Sequence, residues 1–212
     1  TAIGQASVKI TGKGLYKGTK TVNFNIRPAT VTNLKVSSTG EKSVKLSWKK
    51  VTGADSYAIY RYDNTSKKWQ RIKTVKAVSF TDSGLARAKG YSYKVKAVKK
   101  SGGKEYISAS YSKAVEAVTK PAKASCTAKS AGSGSIEVSW KAVGGASGYE
   151  IYSSSNGSDY VKSAKVGGSH KSAIVSGFEP YSLRMVKVRA YKTVNGKTSY
   201  GAFSQAVMVI VR

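Results

Sequence analysis

The sequence has one cysteine, Cys126, and one histidine, His170, in 212 residues. An intrachain disulfide is excluded, and so is a zinc site built from clustered Cys and His. Each domain must then be held by its apolar core alone. Acids are also scarce: 10 Asp and Glu stand against 37 Lys and Arg, giving a formal charge of +27. The acids are scattered, and Asp55 with Asp63 or Asp82 lacks the dense carboxylate spacing of a calcium loop. No run of about 18 apolar residues exists, so no segment reads as a membrane-spanning helix and no membrane insertion is expected. No stretch keeps apolar positions at helical spacing either.

The chemistry-bearing residues that remain do not assemble into a set. His170 lies in Gly167-Gly168-Ser169-His170 with no Cys or Ser motif to partner it, and reads as a solvated loop residue. Cys126 sits in the alternating run Ala124-Ser125-Cys126-Thr127-Ala128 and reads as a small core or edge residue. Gly102-Gly103 and Gly144-Gly145 lack the strand-loop-helix frame of a phosphate-binding loop. No catalytic, metal-binding or cofactor-binding residue is assigned, no cofactor is expected, and the ligand-binding residues are unknown at this stage.

What the sequence does have is β-forming residues, with 14 Tyr and 21 Gly. Runs such as Ser43-Val44-Lys45-Leu46-Ser47-Trp48 and Tyr91-Ser92-Tyr93-Lys94-Val95-Lys96-Ala97 alternate with period two, the mark of strands with one buried face. The chain also repeats itself. Val44-Lys45-Leu46-Ser47-Trp48-Lys49 returns as Ile136-Glu137-Val138-Ser139-Trp140-Lys141, and Ser56-Tyr57-Ala58-Ile59-Tyr60 as Gly148-Tyr149-Glu150-Ile151-Tyr152. Val95-Lys96-Ala97 returns as Val188-Arg189-Ala190, and Tyr111-Ser112-Lys113-Ala114-Val115 as Phe203-Ser204-Gln205-Ala206-Val207. A near-constant offset of about ninety residues, with seven strand signals per unit, predicts two sandwiches in series. Turn residues punctuate both units: Asp63-Asn64 and Asn156-Gly157, then Ser101-Gly102-Gly103 and Asn195-Gly196. The boundary is expected at Thr119-Lys120-Pro121-Ala122.

Taken together, the apolar-Ser-Trp strand, the Tyr-x-Ile-Tyr strand and Leu85-x5-Tyr91-x-Tyr93-x-Val95-x-Ala97 resemble fibronectin type III modules over about 31–212. The resemblance implies an all-β chain of two seven-stranded immunoglobulin-like sandwiches, at 31–119 and 122–212. It places Trp48 and Trp140 in the cores. It also makes Tyr91 a tyrosine corner whose hydroxyl bonds to backbone near residues 85–88. In the second unit Phe178 and Pro180 fit the approach to that corner, but Arg184 stands where Tyr is expected. Either Tyr181 takes over the hydroxyl role or the bond is absent, with Arg184 expected to reach solvent.

Residues 1–29 differ. Ala6-Ser7-Val8-Lys9-Ile10-Thr11 and Thr21-Val22-Asn23-Phe24-Asn25-Ile26 alternate on either side of Gly12-Lys13-Gly14-Leu15-Tyr16-Lys17-Gly18. The pattern resembles the C-terminal half of Ig-like repeats of Gram-positive surface proteins, which implies a β-hairpin and a bacterial surface or secreted source. Because a lone hairpin is marginal in water, it is expected to pack on the first module or pair elsewhere. The chain starts at Thr1 without an initiator Met and is expected to be an excerpt of a larger extracellular protein, monomeric as a fragment.

The basic residues spread over all three segments, and lysine greatly outnumbers arginine. Lysine is a hydrated point charge, whereas arginine suits bidentate base recognition, so a specific nucleic-acid partner is not expected. The expected partners are anionic wall polymers, glycans or other proteins, held in a salt-dependent way. Lys94, Lys96, Lys42 and Lys45 alternate with core residues, and outward lysines also keep sheet edges from pairing. Aromatics that recur in both units are assigned to the fold: Trp48 with Trp140, Tyr57 with Tyr149, and Trp69 with Tyr160. Tyr62, Tyr106 and Tyr181 lack such partners and remain as candidate ligand contacts. The leading expectation is a non-catalytic spacer and interaction module. The alternative is a carbohydrate-binding accessory module of a secreted glycoside hydrolase or adhesin, which needs a planar strip of exposed aromatics on one sheet face.

Overall fold

A computed structural model of the chain describes residues 2–212, which are all-β without a helix. The first two strands, β1 (Gly4–Thr11) and β2 (Thr19–Ile26), form an antiparallel hairpin as a two-stranded sheet of their own. Its register places Ala6 opposite Phe24 and Val8 opposite Val22 on one face, while Ser7 and Lys9 face the other way with Asn23 and Thr21. The hairpin's base is tied down at two points. Arg27 donates from Nη1 to the Ile107 carbonyl at 3.1 Å, and Ile3 lies over Gly53, whose φ of +77° and missing side chain leave room for it. Beyond that base the alternation does not become burial: Val8, Ile10, Val22 and Phe24 are all exposed.

Eight strand segments follow: β3 (Lys35–Thr39), β4 (Ser43–Ser47), β5 (Ser56–Asp63), β6 (Lys68–Val75), β7 (Ser79–Ser83), β8 (Gly90–Ser101), β9 (Lys104–Ile107) and β10 (Val115–Val118). One sheet has the order β3-β4-β7; the other is β10-β8-β5-β6, with β9 also on β8. The second sandwich repeats this with β11 (Cys126–Gly132), β12 (Ser135–Trp140), β13 (Gly148–Ser154), β14 (Val161–Gly167), β15 (Ser172–Val175), β16 (Leu183–Val194), β17 (Lys197–Tyr200) and β18 (Val207–Ile210). Its sheets are β11-β12-β15 and β14-β13-β16-β17, with β18 also on β16. A three-stranded sheet facing a larger sheet, in this strand order and twice over, is the fibronectin type III fold.

Alternation decides which side chains fill the two cores. Val44 and Leu46 of β4, Tyr57 and Ile59 of β5, and Tyr93, Val95 and Ala97 of β8 are all buried. Ile136, Val138, Tyr149, Ile151, Val186, Val188 and Ala190 do the same in the second sandwich. Trp48 and Trp140 are 6% exposed each. Their rings meet Tyr57 at 5.4 Å and Tyr149 at 5.1 Å between centroids. Each of these tyrosines also accepts a bond at its hydroxyl from the backbone N–H six residues back, Val51 at 2.8 Å and Val143 at 2.7 Å. Turn chemistry fits as well: Gly102 with Gly103, and Asn195 with Gly196, take positive φ at both central positions of tight hairpin turns.

The seventh strand of each sandwich is broken in two, which alternation did not reveal. The ladder is patched at the break by a serine. Val95 N–H donates to Ser112 Oγ at 3.0 Å while Ser112 N–H donates to the Val95 carbonyl at 3.0 Å. Ser204 does the same for Val188, at 3.0 and 2.8 Å.

A candidate binding face

Residues facing outward from the larger sheet of each sandwich carry the same construction. In the first, register puts Lys96 beside Ala58 beside Thr74, then Lys94 beside Tyr60 beside Arg71, then Tyr62 beside Trp69. Tyr60 and Tyr111 meet edge-on, with centroids 4.9 Å apart and planes at 88°. Tyr62 meets Trp69 at 5.3 Å and 60°. The lysines of β8 lie on these rings. Lys94 Nζ is 4.4 Å from the Trp69 centroid and 5.3 Å from that of Tyr111, and Lys96 Nζ is 4.3 Å from Tyr111. An ammonium over a ring face is attracted by the ring quadrupole. Lys96 also donates to the Ala109 carbonyl at 3.0 Å.

The second sandwich repeats the arrangement with different residues. Tyr152 meets Phe203 at 5.0 Å and 84°, matching Tyr60 with Tyr111. Lys187 Nζ stands 3.5 Å from the Tyr160 centroid and 4.6 Å from that of Phe203, in the place of Lys94. Arg189 takes the place of Lys96, its guanidinium carbon 5.2 Å from Tyr152, 4.1 Å from Tyr200 and 4.8 Å from Phe203.

The two faces differ in how a carboxylate enters. In the first, Glu105 reaches from β9 to Arg71 at 3.0 Å, and that bond holds its carboxyl below the usual range. In the second, Glu150 occupies the position of Ala58 and is only 1% exposed. Arg189 donates to its Oε2 from Nε at 3.0 Å and from Nη2 at 2.8 Å, and Lys162 donates to Oε1 at 3.2 Å. Burial alone would raise this carboxyl. The bonds from Arg189 and Lys162 outweigh it and hold the group below the usual carboxylate range.

The residues singled out in the sequence fall partly on this face and partly elsewhere. Tyr106 is buried on β9, so it belongs to the core. Tyr62 belongs to the first face. Tyr181, at φ +60°, is 86% exposed and does not replace the missing corner tyrosine. Arg184, expected to reach solvent, is half-buried, and its Nε is buried with no hydrogen-bond partner among the described residues. It stands in phase with the inward Val186 and Val188, and its guanidinium carbon lies 5.0 Å from the Phe178 centroid. Tyr91 is half-buried with Arg61 over its ring at 5.8 Å.

His170 is exposed; its carbonyl, not its imidazole, is used, accepting Trp140 Nε1 at 3.1 Å. Cys126 Sγ is a half-buried partner of Ser204 Oγ at 3.1 Å. Asp55 and Asp63 flank and end β5, about 25 Å apart by strand rise. Asp55 accepts from the Lys100 N–H and the Lys99 ammonium, both at 2.9 Å, which lowers its pKa. Asp63 accepts from the Thr65 N–H and the Ser66 hydroxyl in a turn, with the same effect. Among the described residues no three His, Cys, Asp or Glu side chains come together as a metal cluster, and no helix is long and apolar enough to cross a membrane.

Sequence reasoning saw the outward lysines and the recurring aromatics but not that they meet. The lysines are 15 and more residues away from their rings, and only the fold brings them together. Tyr60 with Tyr111 and Tyr152 with Phe203 stand edge-on, Trp69 and Tyr111 are tilted by 35°, and cations lie over these rings, unlike the planar strip that sugar stacking needs.

No protein-family profile matches the chain. A stretch of 100 residues is 43% identical to a poly(3-hydroxybutyrate) depolymerase of Ralstonia pickettii, and covers 47% of this chain but 18% of that enzyme. Among solved structures, a two-domain fibronectin type III segment of chicken tenascin is 18% identical, with a TM-score of 0.49, over 85% of this chain and 98% of that one. The FN1-FN3 domains of chicken CNTN1 are 15% identical, with a TM-score of 0.40, over 87% of this chain and 66% of that one.

Proposed function

We propose that the chain is a non-catalytic spacer and interaction part of a larger bacterial surface or secreted protein, and that it holds anionic polymers weakly through its lysines. The proposed units are 1–29, the closing hairpin of an Ig-like repeat, and modules at 31–119 and 122–212. The observation that carries the reading is the charge. A net +27 is spread along the chain, and outward lysines line both larger sheets. Exposed charges farther apart than about 10 Å are largely screened at 0.1 M salt, so only a multivalent anion sums enough contacts to be held. The likeness to less than a fifth of a polymer-degrading enzyme supports an accessory part of a longer extracellular protein. The fold itself hosts many functions, so the site must carry the argument.

Retention of the 212-residue chain on immobilised heparin across a salt series tests this. Retention at low salt that disappears by moderate salt supports it. Tight binding of a neutral oligosaccharide that survives salt rejects it in favour of the carbohydrate-module alternative.

A further inference from the structure

We infer that the focus of polyanion binding is the Lys94–Lys96 pair on the first sandwich, where aromatic stacking fixes two ammonium groups for a linear polymer of sulfate or phosphate esters. The inference rests on the electrostatic reading above and gives it a place on the molecule.

The two lysines project from one face of β8 and are about 6.7 Å apart along the strand. A free lysine gives up considerable rotamer freedom when it is held against a ligand. Lys94 and Lys96 have already given up much of that freedom. The first lies on Trp69 and Tyr111, the second on Tyr111 and against the Ala109 carbonyl. Among the described residues neither ammonium is ion-paired with a carboxylate. Their charge is therefore positioned but not neutralised.

The second sandwich is the internal comparison. Arg189, the counterpart of Lys96, is committed to Glu150 through two nitrogens, and Lys162 is committed to the same carboxylate. In the first sandwich Ala58 stands where Glu150 would, and Glu105 pairs with Arg71 instead, leaving both β8 lysines available. The same scaffold thus carries one open cationic face and one in which the central cation is tied up.

The test is the salt dependence of binding by the whole chain to heparin and, separately, to inorganic polyphosphate. Lys94→Gln with Lys96→Gln removes two contacts and is expected to lower the slope of log affinity against log salt by about 1.4, taking about 0.7 per contact for a flexible strand. Lys35→Gln with Lys45→Gln, on the other sheet, removes the same charge and is expected to leave the slope nearly unchanged. Tyr111→Leu keeps every charge but removes the ring that both lysines share, loosening each, and is expected to weaken binding about threefold. Lys94→Arg with Lys96→Arg keeps charge and stacking and should retain binding, which separates the face from a folding defect. Loss on both probes assigns shared anionic-ester chemistry, and loss on heparin alone assigns a sulfated glycan; either supports the face. Equal slope loss from the two Gln pairs overturns it while leaving the diffuse electrostatic reading standing. No binding by the unaltered chain at low salt overturns both. Preferential capture of single-stranded DNA over both probes also overturns it.

Discussion

Arg189 closes on Glu150 through two nitrogens, Nε at 3.0 Å and Nη2 at 2.8 Å from the same carboxylate oxygen. This carboxylate is both almost fully buried and held by two cations, Arg189 and Lys162. Removing one member of such a group leaves buried charge without a partner. Glu150→Ala is expected to cost about 3 kcal/mol, at the low end of the range for buried pairs because Arg189 is itself partly exposed. Urea denaturation of the variant beside the unaltered chain checks this, and a cost below about 1 kcal/mol would show the network to be ornamental.

The same group sets a pH dependence. Its folded pKa lies below the unfolded value, so its contribution to stability is fully present above the unfolded carboxylate range, about pH 4.3. It is lost as pH falls through the folded value. Melting followed from pH 7 downward should show the gap between Glu150→Gln and the unaltered chain shrinking below about pH 4.3. A gap that stays constant to pH 3 would mean that the carboxylate gains nothing from Arg189 and Lys162.

The tryptophans offer a finer comparison. Trp48 and Trp140 are equally buried, and either one changed to Ala should cost about 3–5 kcal/mol. Changed to Phe, they should differ. Trp140 Nε1 donates to the His170 carbonyl, whereas Trp48 Nε1 is buried with no partner. Trp140→Phe loses a hydrogen bond, and Trp48→Phe removes an unsatisfied donor. The first should therefore cost about 1 kcal/mol more than the second. Equal costs in chemical denaturation would contradict this.

Much of this was legible from the chain. Alternation places Val44, Leu46, Tyr93 and Val95 in the core correctly, and the internal repeat fixes Trp140 and Tyr149 as the partners of Trp48 and Tyr57. Period two tells which face a residue takes, not whether anything covers it. Phe24 and Val22 alternate as cleanly as Val44 and Leu46 and remain exposed. Glu150 shows the opposite failure. Its phase points outward, yet Arg189, 39 residues on, and Lys162, 12 residues on, bury it. The replacement of Tyr by Arg184 is legible in the sequence, but its packing on the Phe178 ring is not.

The serines that patch the broken seventh strands should matter as much as a core residue. Ser112→Ala leaves the Val95 N–H without its side-chain acceptor in a buried ladder and should cost about 1–3 kcal/mol, with Ser204→Ala costing the same at Val188. Ser112→Thr retains the hydroxyl and should recover part of the loss. Denaturation midpoints of the three variants provide the check, and a silent Ser112→Ala would place the acceptor elsewhere.

The central claim is that the chain holds multivalent anions by charge and not a discrete sugar by shape. Its most direct test is the heparin dissociation constant at about 50 mM and about 200 mM salt, with a neutral oligosaccharide titrated alongside. With Lys94 and Lys96 in contact, heparin affinity should fall about sevenfold between the two salt concentrations, and the neutral sugar should give no saturable signal. A neutral sugar that binds one-to-one with the same constant at both salt concentrations would contradict the account.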